Sequence, residues 1–452
     1  MNIIVAGVGK VGYTLANQLI QEGHSLTLID RNNSVVTTAV ETFDAIGIVG
    51  NCASKEVLVD AGVESADLLI TATNADEVNL LCAMTAHGIN PKIHTIARVR
   101  NPEYSDQIMT MPQVFHLSLT VNPEKQAAIE IERLLKYPGF LRRDTFARGN
   151  TEIVELRVDS KSKLCNVKLM DMHSVVKCRV LVCAVLREGK AMAPSGNFVM
   201  QEGDRLFITA PTTDLTVLLK NLGVITRPVH RVLLCGGGRV CYYLASLLEK
   251  DRISVQILEN NRERCLQLAE LLPQTSVIYG DCSSQAMLES QGVDDTDALV
   301  ALTGMDETNM VLSMFAKSRG VSQIITKLSR AESLRIADAM SLGSLISPRE
   351  LCGNSIVRYV RAMQNQTGAA ISVHAIADGQ AEAVEFVVDE NTRNKNVPLR
   401  QMKLRDNVLI ASITHGTKTH IPNGDSLFFQ GDTVVVVTSG RGVLHQLNDI
   451  FA

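Results

Sequence analysis

Apolar positions along this chain fall into short, nearly continuous runs, separated by stretches in which they recur every three or four residues. Residues 3–6, 26–29, 45–49, 68–72 and 93–97 are runs of the first kind. Lacking polar alternation, they suit strands buried on both faces. Residues 11–21 and 77–86 are of the second kind and predict amphipathic helices. Strands and helices alternating at this length predict an α/β fold with a doubly wound parallel sheet covered on both faces. Farther along, residues 153–158 and 206–208 are short β segments among turns and one short helix, which predicts a smaller α/β module.

The pattern occurs twice. Asn2-Ile3-Ile4-Val5-Ala6-Gly7-Val8-Gly9 is matched by Arg231-Val232-Leu233-Leu234-Cys235-Gly236-Gly237-Gly238, and Gly50-Asn51-Cys52 by Gly280-Asp281-Cys282. Asp76-Glu77-Val78-Asn79 is matched by Asp306-Glu307-Thr308-Asn309. The correspondence continues into the smaller module, where Asn166-Val167-Lys168-Leu169 pairs with Asn396-Val397-Pro398-Leu399. The repeating unit is thus two modules long, and four modules are expected at residues 1–137, 138–226, 227–363 and 364–452. Residues 124–136, which stop at Tyr137-Pro138-Gly139, and residues 348–363 each read as an amphipathic helix after a completed α/β unit. Such a helix either covers its own core or crosses to another subunit, and the pattern leaves both open.

Gly7-x-Gly9-x-x-Gly12 follows a strand and opens a helix, with Asp30 at the end of the next strand. This is a dinucleotide fingerprint, and it makes the larger modules Rossmann-like. Gly7 permits the tight turn, Gly9 lets a pyrophosphate approach the backbone, and Gly12 lets the helix pack close to the strand. Val8, Lys10 and Val11 complete a loop whose N–H groups attract phosphate. The Asp30 carboxylate can accept both ribose hydroxyls and would repel a 2′-phosphate, which favours NAD(H) or ATP/ADP. Asn51-Cys52, Thr73-Asn74 and Arg98 follow the next three strands, where ligands bind in open parallel sheets. Arg98 and Arg100 are read either as cations facing phosphates or as solvated loop residues. Asp76 and Glu77 are expected to cap the start of their own helix. In the second half the candidates are Gly236, Gly237, Gly238, Arg239, Val240, Glu259, Asp281, Thr303, Gly304 and Lys327. There Cys241 replaces the third glycine and Lys327 stands where Arg98 does, so this half is read as binding a different nucleotide, binding weakly or staying empty.

Composition narrows the function. Apolar residues make up 46% of the 452 positions but aromatics only 4%, with no Trp, so the cores must be aliphatic. A net charge of −4 argues against a nucleic-acid partner, which would require a concentrated basic face. No apolar run is long enough to span a bilayer, and the chain enters its first strand without a signal peptide, so a soluble intracellular protein is expected. The ten cysteines contain no CxxC pair, and most, including Cys82, Cys178, Cys183 and Cys235, sit in apolar runs as expected of small buried hydrophobes in a reducing cytosol. His415 and His420 lack a spacing that would share a helical face, and no metal site is expected. His173 and His374 are isolated, so the acid–base constellation of an NAD-dependent oxidoreductase is not visible, nor is a basic helix-turn-helix. Duplicated fingerprints without a catalytic module suit a regulator better than an enzyme.

With these residues in place the chain resembles the TrkA family, the peripheral subunits of bacterial Trk potassium uptake systems, built from RCK repeats of TrkA-N and TrkA-C domains. The resemblance covers essentially the whole length. It rests on the Gly7–Gly12 fingerprint, Asp30, the two Asp-Glu-x-Asn motifs, Tyr137-Pro138-Gly139 and both Asn-Val-x-Leu segments. It implies a homo-oligomer, a tetramer of tandem chains, docked on the cytoplasmic face of the membrane beneath a potassium-translocating subunit. NAD(H), ATP or ADP would bias the shape of that assembly. Asn51 departs from the Asp more usual in the family.

Overall fold

The structure, a computed structural model, describes residues 1–137, 140–146, 149–160, 162–222, 228–363, 370–439, 444 and 446–452. Pro138 and Gly139 of the Tyr-Pro-Gly stop, and the expected module boundaries at 226–227 and 364, therefore involve residues outside the described ones.

The first six strands are β1 (Asn2–Ala6), β2 (Ser25–Asp30), β3 (Ala45–Val49), β4 (Leu68–Thr71), β5 (His94–Arg98) and β6 (Leu119–Val121). They form a parallel sheet in the order β3-β2-β1-β4-β5-β6. The order reverses between β1 and β4, so the crevice there is a topological switch point. Next come β7 (Arg142–Phe146), β8 (Thr151–Arg157), β9 (Leu181–Arg187), β10 (Lys190–Met192) and β11 (Arg205–Pro211), an antiparallel sheet ordered β10-β9-β11-β8-β7. The second half repeats the first. Strands β12 (Arg231–Cys235), β13 (Ser254–Glu259), β14 (Ser276–Tyr279), β15 (Ala298–Ala301), β16 (Gln323–Lys327) and β17 (Ser344–Ile346) are parallel in the order β14-β13-β12-β15-β16-β17. Strands β18 (Ala370–Ile376), β19 (Ala381–Val387), β20 (Val408–His415), β21 (Lys418–His420) and β22 (Thr433–Ser439) are antiparallel in the order β18-β19-β22-β20-β21. The doubly wound α/β architecture stands as read, while the smaller modules hold more strand than their short apolar runs suggested.

The chain packs as two units: Met1–Ile129 with Ser347–Val357, and Glu130–Ile346 with Arg358–Ala452. Two of the three dividing points, after Ile129 and after Val357, fall inside the amphipathic helices Pro123–Lys136 and Pro348–Met363, and the third, after Ile346, falls just before the second of them. In the first unit Gly353 lies so close to the Lys10–Gln21 helix that a Cβ added there would meet Gln18 Oε1 at 2.3 Å, while Gln18 Nε2 donates to Asn354 Oδ1 at 3.3 Å. In the second, Gln323 Nε2 on β16 donates to the Leu134 carbonyl at 2.8 Å, and Lys136 Nζ stands 3.0 Å from Asp251 Oδ2. Each helix thus leaves the half it follows and supplies part of its length to the unit holding the other half's parallel sheet. The apolar face Ala127, Ala128, Ile131, Leu134 and Leu135 is at most 1% exposed within the chain. Substitution there reports on the chain's own packing rather than on a contact with another subunit.

Glu130, 13% exposed in the second unit, sits among the charges of Arg133 on its own helix and Arg142, Arg143 and Asp144 on β7. Burial, then the Asp144 charge, pushes its carboxyl up to about 7, against the opposing pull of the three arginines. Burial would also raise Asp144, but Arg142 and His374, whose Nδ1 lies 2.9 Å away, hold it down at about 2. The native state therefore keeps the Glu130 proton above the group's ordinary 4.5. The stability this contributes is fully present below pH 4.5 and is lost as pH rises through about 7. Glu130→Gln is expected to leave the urea midpoint unchanged at pH 4.5 and to raise it at pH 8, by the equivalent of about 2–3 kcal/mol. Parallel pH profiles for the two proteins would refute this.

Candidate nucleotide site

In each parallel sheet the residues singled out by sequence converge at the carboxyl ends of the strands. Gly7–Gly12 follows β1, Asp30 ends β2, Asn51-Cys52 follows β3, Thr73-Asn74 follows β4, and Arg98 ends β5. Gly7 adopts φ +94°, and a Cβ there would stand 2.7 Å from the Thr73 nitrogen, so the loops after β1 and β4 close on each other at the switch point. Gly12 is bound more tightly still, since its Cβ would lie 1.9 Å from the Gly7 carbonyl oxygen. Gly9 differs. It has φ −67°, caps the Lys10–Gln21 helix without a side-chain hydrogen bond, and an added Cβ would meet nothing within 4 Å among the described residues. Open space lies over an uncapped helix N-terminus, the setting in which backbone N–H groups hold phosphate. Lys10 beside it is exposed, whereas Val8 and Val11 face the core.

The second half keeps this cradle with altered parts. Gly236 has φ +106°, and Gly238 again caps its helix, Arg239–Lys250, with open space around its added Cβ. Arg239 is exposed and Val240 buried, as their counterparts are. Cys241 is fully buried where Gly12 stands in the first half, and since it carries a Cβ its helix must stand off from the preceding turn. The acids compensate in another way. Asp30 Oδ2 accepts from the Val8 N–H at 2.8 Å, and Glu259 Oε2 from the Gly237 N–H at 2.6 Å. A Cβ on Gly237 would meet Glu259 Cγ at 3.0 Å, so the extra methylene of Glu259 occupies space that a side chain such as that of Val8 would need. The second oxygens of Asp30 and Glu259 accept from the Asn32 and Asn261 N–H groups, at 2.9 and 2.7 Å. Both acids thus face their glycine turn.

A residue that sequence reading left without a structural role holds the loops in register. Asn79 is completely buried, and its Oδ1 accepts from Thr73 N at 2.9 Å and Thr73 Oγ1 at 2.7 Å. Its Nδ2 donates to the Thr73 and Arg98 carbonyls at 3.2 and 2.9 Å. Both donors and both acceptor positions of the amide are used. Asn309 makes the same four bonds to Thr303 and Lys327. Gly304, beyond Thr303, is exposed with room for a Cβ, as Asn74 is exposed in the first half.

Asp76 corrects the expectation of a helix cap. Its carboxylate accepts from the Arg100 and Asn101 N–H groups, both at 2.8 Å, tying down the loop after β5, and no side chain caps its helix. Asp306 does the same for Ser329 and Arg330. Glu77 accepts instead from the Tyr104 hydroxyl at 2.7 Å. Arg98 is not a solvated loop residue: its side chain is 11% exposed, stands 3.6 Å from Glu124, and its buried Nε has no partner among the described residues. Arg100 is engaged with Asp76 and the Asn74 carbonyl. Lys327 Nζ turns back onto the Leu302 carbonyl at 2.9 Å, so the cation of the second half is committed to backbone. Past β3, Asn51 Oδ1 accepts from Arg31, a neighbour the sequence reading omitted, at 2.8 Å, while Asp281 accepts from the Ser283 N–H at 2.9 Å. An uncapped N-terminus, room at Gly9, an acid on the turn and a buried guanidinium N–H fit the phosphates and ribose of a nucleotide.

Known proteins share this fold. The TrkA-N domain family matches residues 3–115 and 232–348, and the TrkA-C domain family matches residues 153–223. The chain is 31% identical over 437 residues to a Trk system potassium uptake protein TrkA homolog of Archaeoglobus fulgidus, covering 96% of this chain and 97% of that one. It is 27% identical over 460 residues to the Trk system potassium uptake protein TrkA of Haemophilus influenzae, covering 100% and 98%. Among solved structures, the GsuK RCK domain superposes with a TM-score of 0.63 at 16% identity, over 97% of this chain and 92% of that one. The GsuK channel bound to NAD gives 0.62 at 16% identity, over 97% and 76%. Two TrkA-N matches in tandem, each ending its β1 equivalent in a glycine turn faced by an acid, place this chain in the TrkA family of Trk potassium uptake proteins.

Proposed function

We propose that the chain is a nucleotide-responsive regulatory subunit that gates a potassium-translocating membrane partner of the Trk type. Its four modules would be residues 1–137, 138–226, 227–363 and 364–452. It would work as a homotetramer on the cytoplasmic side of the membrane, held there by the partner. Among the described residues no helix is long and apolar enough to cross a membrane, so translocation would belong to another chain. NAD(H), ATP or ADP would bind at Gly7–Gly12, Asp30, Asn51-Cys52, Thr73-Asn74 and Arg98. The observation that carries this reading is the open helix N-terminus at Gly9, with Asp30 bonded across the turn beneath it. The second half, with Cys241 and the committed Lys327, would bind differently or more weakly.

A nucleotide shifts such an assembly only by its unequal affinity for two shapes. Moving a population from 1:99 to 99:1 takes about 5.5 kcal/mol in total. Spread over several sites this is roughly 1 kcal/mol per site, within ordinary coupling energies. Asp30→Ala is expected to weaken NAD and ADP binding more than about tenfold in calorimetry with the fold preserved, because a charged contact to the ribose is lost. In liposomes holding the membrane partner, exchanging ATP for ADP or NADH should change potassium flux. Unchanged affinity in the variant sinks the site. Flux indifferent to every nucleotide, or turnover of a hydride substrate, sinks the regulatory reading.

A further inference from the structure

His415 and His420, whose spacing suits no helix, come together across the β20–β21 hairpin. Their rings stack, with centroids 5.3 Å apart and planes 17° from parallel, and the Phe429 ring lies 5.5 Å from that of His415. His415 Nδ1 stands 2.8 Å from Oδ2 of Asp432, a buried carboxylate that also accepts from the Phe429 N–H. The first antiparallel sheet carries the same device in different residues. In its β9–β10 hairpin Arg187 lies opposite Lys190 as His415 lies opposite Lys418, and Met192 stands where His420 does. Asp204, the counterpart of Asp432, accepts from Arg187 Nε and Nη2, both at 2.7 Å, and from the Gln201 N–H at 2.7 Å. One module thus holds its buried carboxylate with a permanent cation. The other uses imidazole, a group that ordinarily changes charge between about pH 5 and about pH 8.

We propose that the β20–β21 hairpin is an acid-released catch, whose β21 end moves away from the first antiparallel module when both stacked imidazoles carry protons. Asp432 answers one of the two charges, through His415. The second, on His420, faces the first across the stack, and the exposed Lys418 opposite His415 adds a third cation to the hairpin. Beyond His420 the chain runs into Ile421-Pro422, which line a cavity of about 450 Å³ together with Arg179 and Val180 of the first antiparallel module. Burial first, then the His415 charge, hold the His420 ring below its ordinary 6.5, with Arg179 adding to them and Asp432 opposing. A ring lowered in this way favours the closed arrangement only while neutral. Its contribution is fully present above pH 6.5 and is lost as pH falls through the lowered value. The β21 end is the part that yields, because β20 is anchored: Ala411 packs in one core cluster with Cys183 and Leu186 of β9.

The catch requires no nucleotide, so its test is independent of the proposed binding site. Hydrogen–deuterium exchange of the full chain, with labelling times scaled to the intrinsic rate at each pH, is followed by mass spectrometry in residues 408–423 and in the matching residues 181–197. Between about pH 7.5 and about pH 5.5, exchange in residues 408–423 is expected to rise at least about threefold while residues 181–197 stay constant. His420→Met, which copies Met192, should keep residues 408–423 equally protected at both pH values, and His420→Gln replaces it if that variant does not fold. Equal acid opening of both hairpins, no change in residues 408–423, or a response that survives loss of the His420 imidazole overturns the proposal.

Discussion

Gly9→Asp is expected to remove nucleotide binding from the first half, by more than about a hundredfold, without lowering the urea midpoint. The backbone at Gly9 has an ordinary φ of −67°, and none of the described residues lies within 4 Å of the Cβ that aspartate brings, so the change is free of strain and of overlap. What it brings is a negative charge at the uncapped helix N-terminus, in the space assigned to phosphate. The carboxylate would itself cap the helix and repel the ligand, two effects that act together. Gly238→Asp is equally free of overlap, but in the half whose third glycine is Cys241 and whose lysine is bonded to backbone. The expected result is loss of the high-affinity sites by calorimetry in the first variant and little change in their number in the second. Equal losses in both variants would remove the asymmetry between halves. Gly12 is unsuited to this experiment: with its Cβ 1.9 Å from the Gly7 oxygen, any side chain there disturbs folding before it reports on binding.

The second large effect is on stability. Asn79→Asp should destabilise the first unit by about 3–5 kcal/mol, the range for an uncompensated buried charge. Asn79 is fully buried, and its Nδ2 donates to two carbonyls. A carboxylate presents oxygen to both of those carbonyls, with only the Thr73 N–H and hydroxyl left as donors. Asn79→Ala should cost less, about 2–3 kcal/mol, because it leaves polar groups without partners but adds no charge. The order Asp worse than Ala, read from urea midpoints at neutral pH, separates this network from simple packing, for which the smaller alanine would be worse. The reverse order would show that the four hydrogen bonds do not hold the ends of β4 and β5 together.

What could be read in the sequence follows from the range over which each interaction acts. The parallel sheets and the glycine fingerprints were legible because strand runs, helical spacing and tight turns are local, and their duplication told the architecture a second time. Strands β6 and β17 were missed, since three residues such as Leu119-Thr120-Val121 carry no periodic signal. Asp76 was read as a cap because capping is the chemistry nearest in sequence, whereas its partners lie twenty-four and twenty-five residues on. Asn79 left a fainter trace. An amide between Val78 and Leu80, repeated at Asn309, is a polar residue on an apolar helix face, and its recurrence in both halves could have marked a buried network. For the two amphipathic helices the pattern said that a face is covered but not by what, because hydrophobic burial is indifferent to the identity of the covering surface.

That exchange of helices has a consequence for how the protein is made. The unit containing the first parallel sheet is completed only by Ser347–Val357, residues that leave the ribosome after the second parallel sheet has been translated. Domains usually fold as units in the order of synthesis. Here the first sheet must wait, holding open the place for Cys352 and Ile356, both fully buried in the finished chain. A nascent chain arrested before Ser347 would carry the fingerprint but not the segment that closes its unit. The two halves are therefore bound by a shared schedule of biosynthesis: neither becomes a finished object before the other exists.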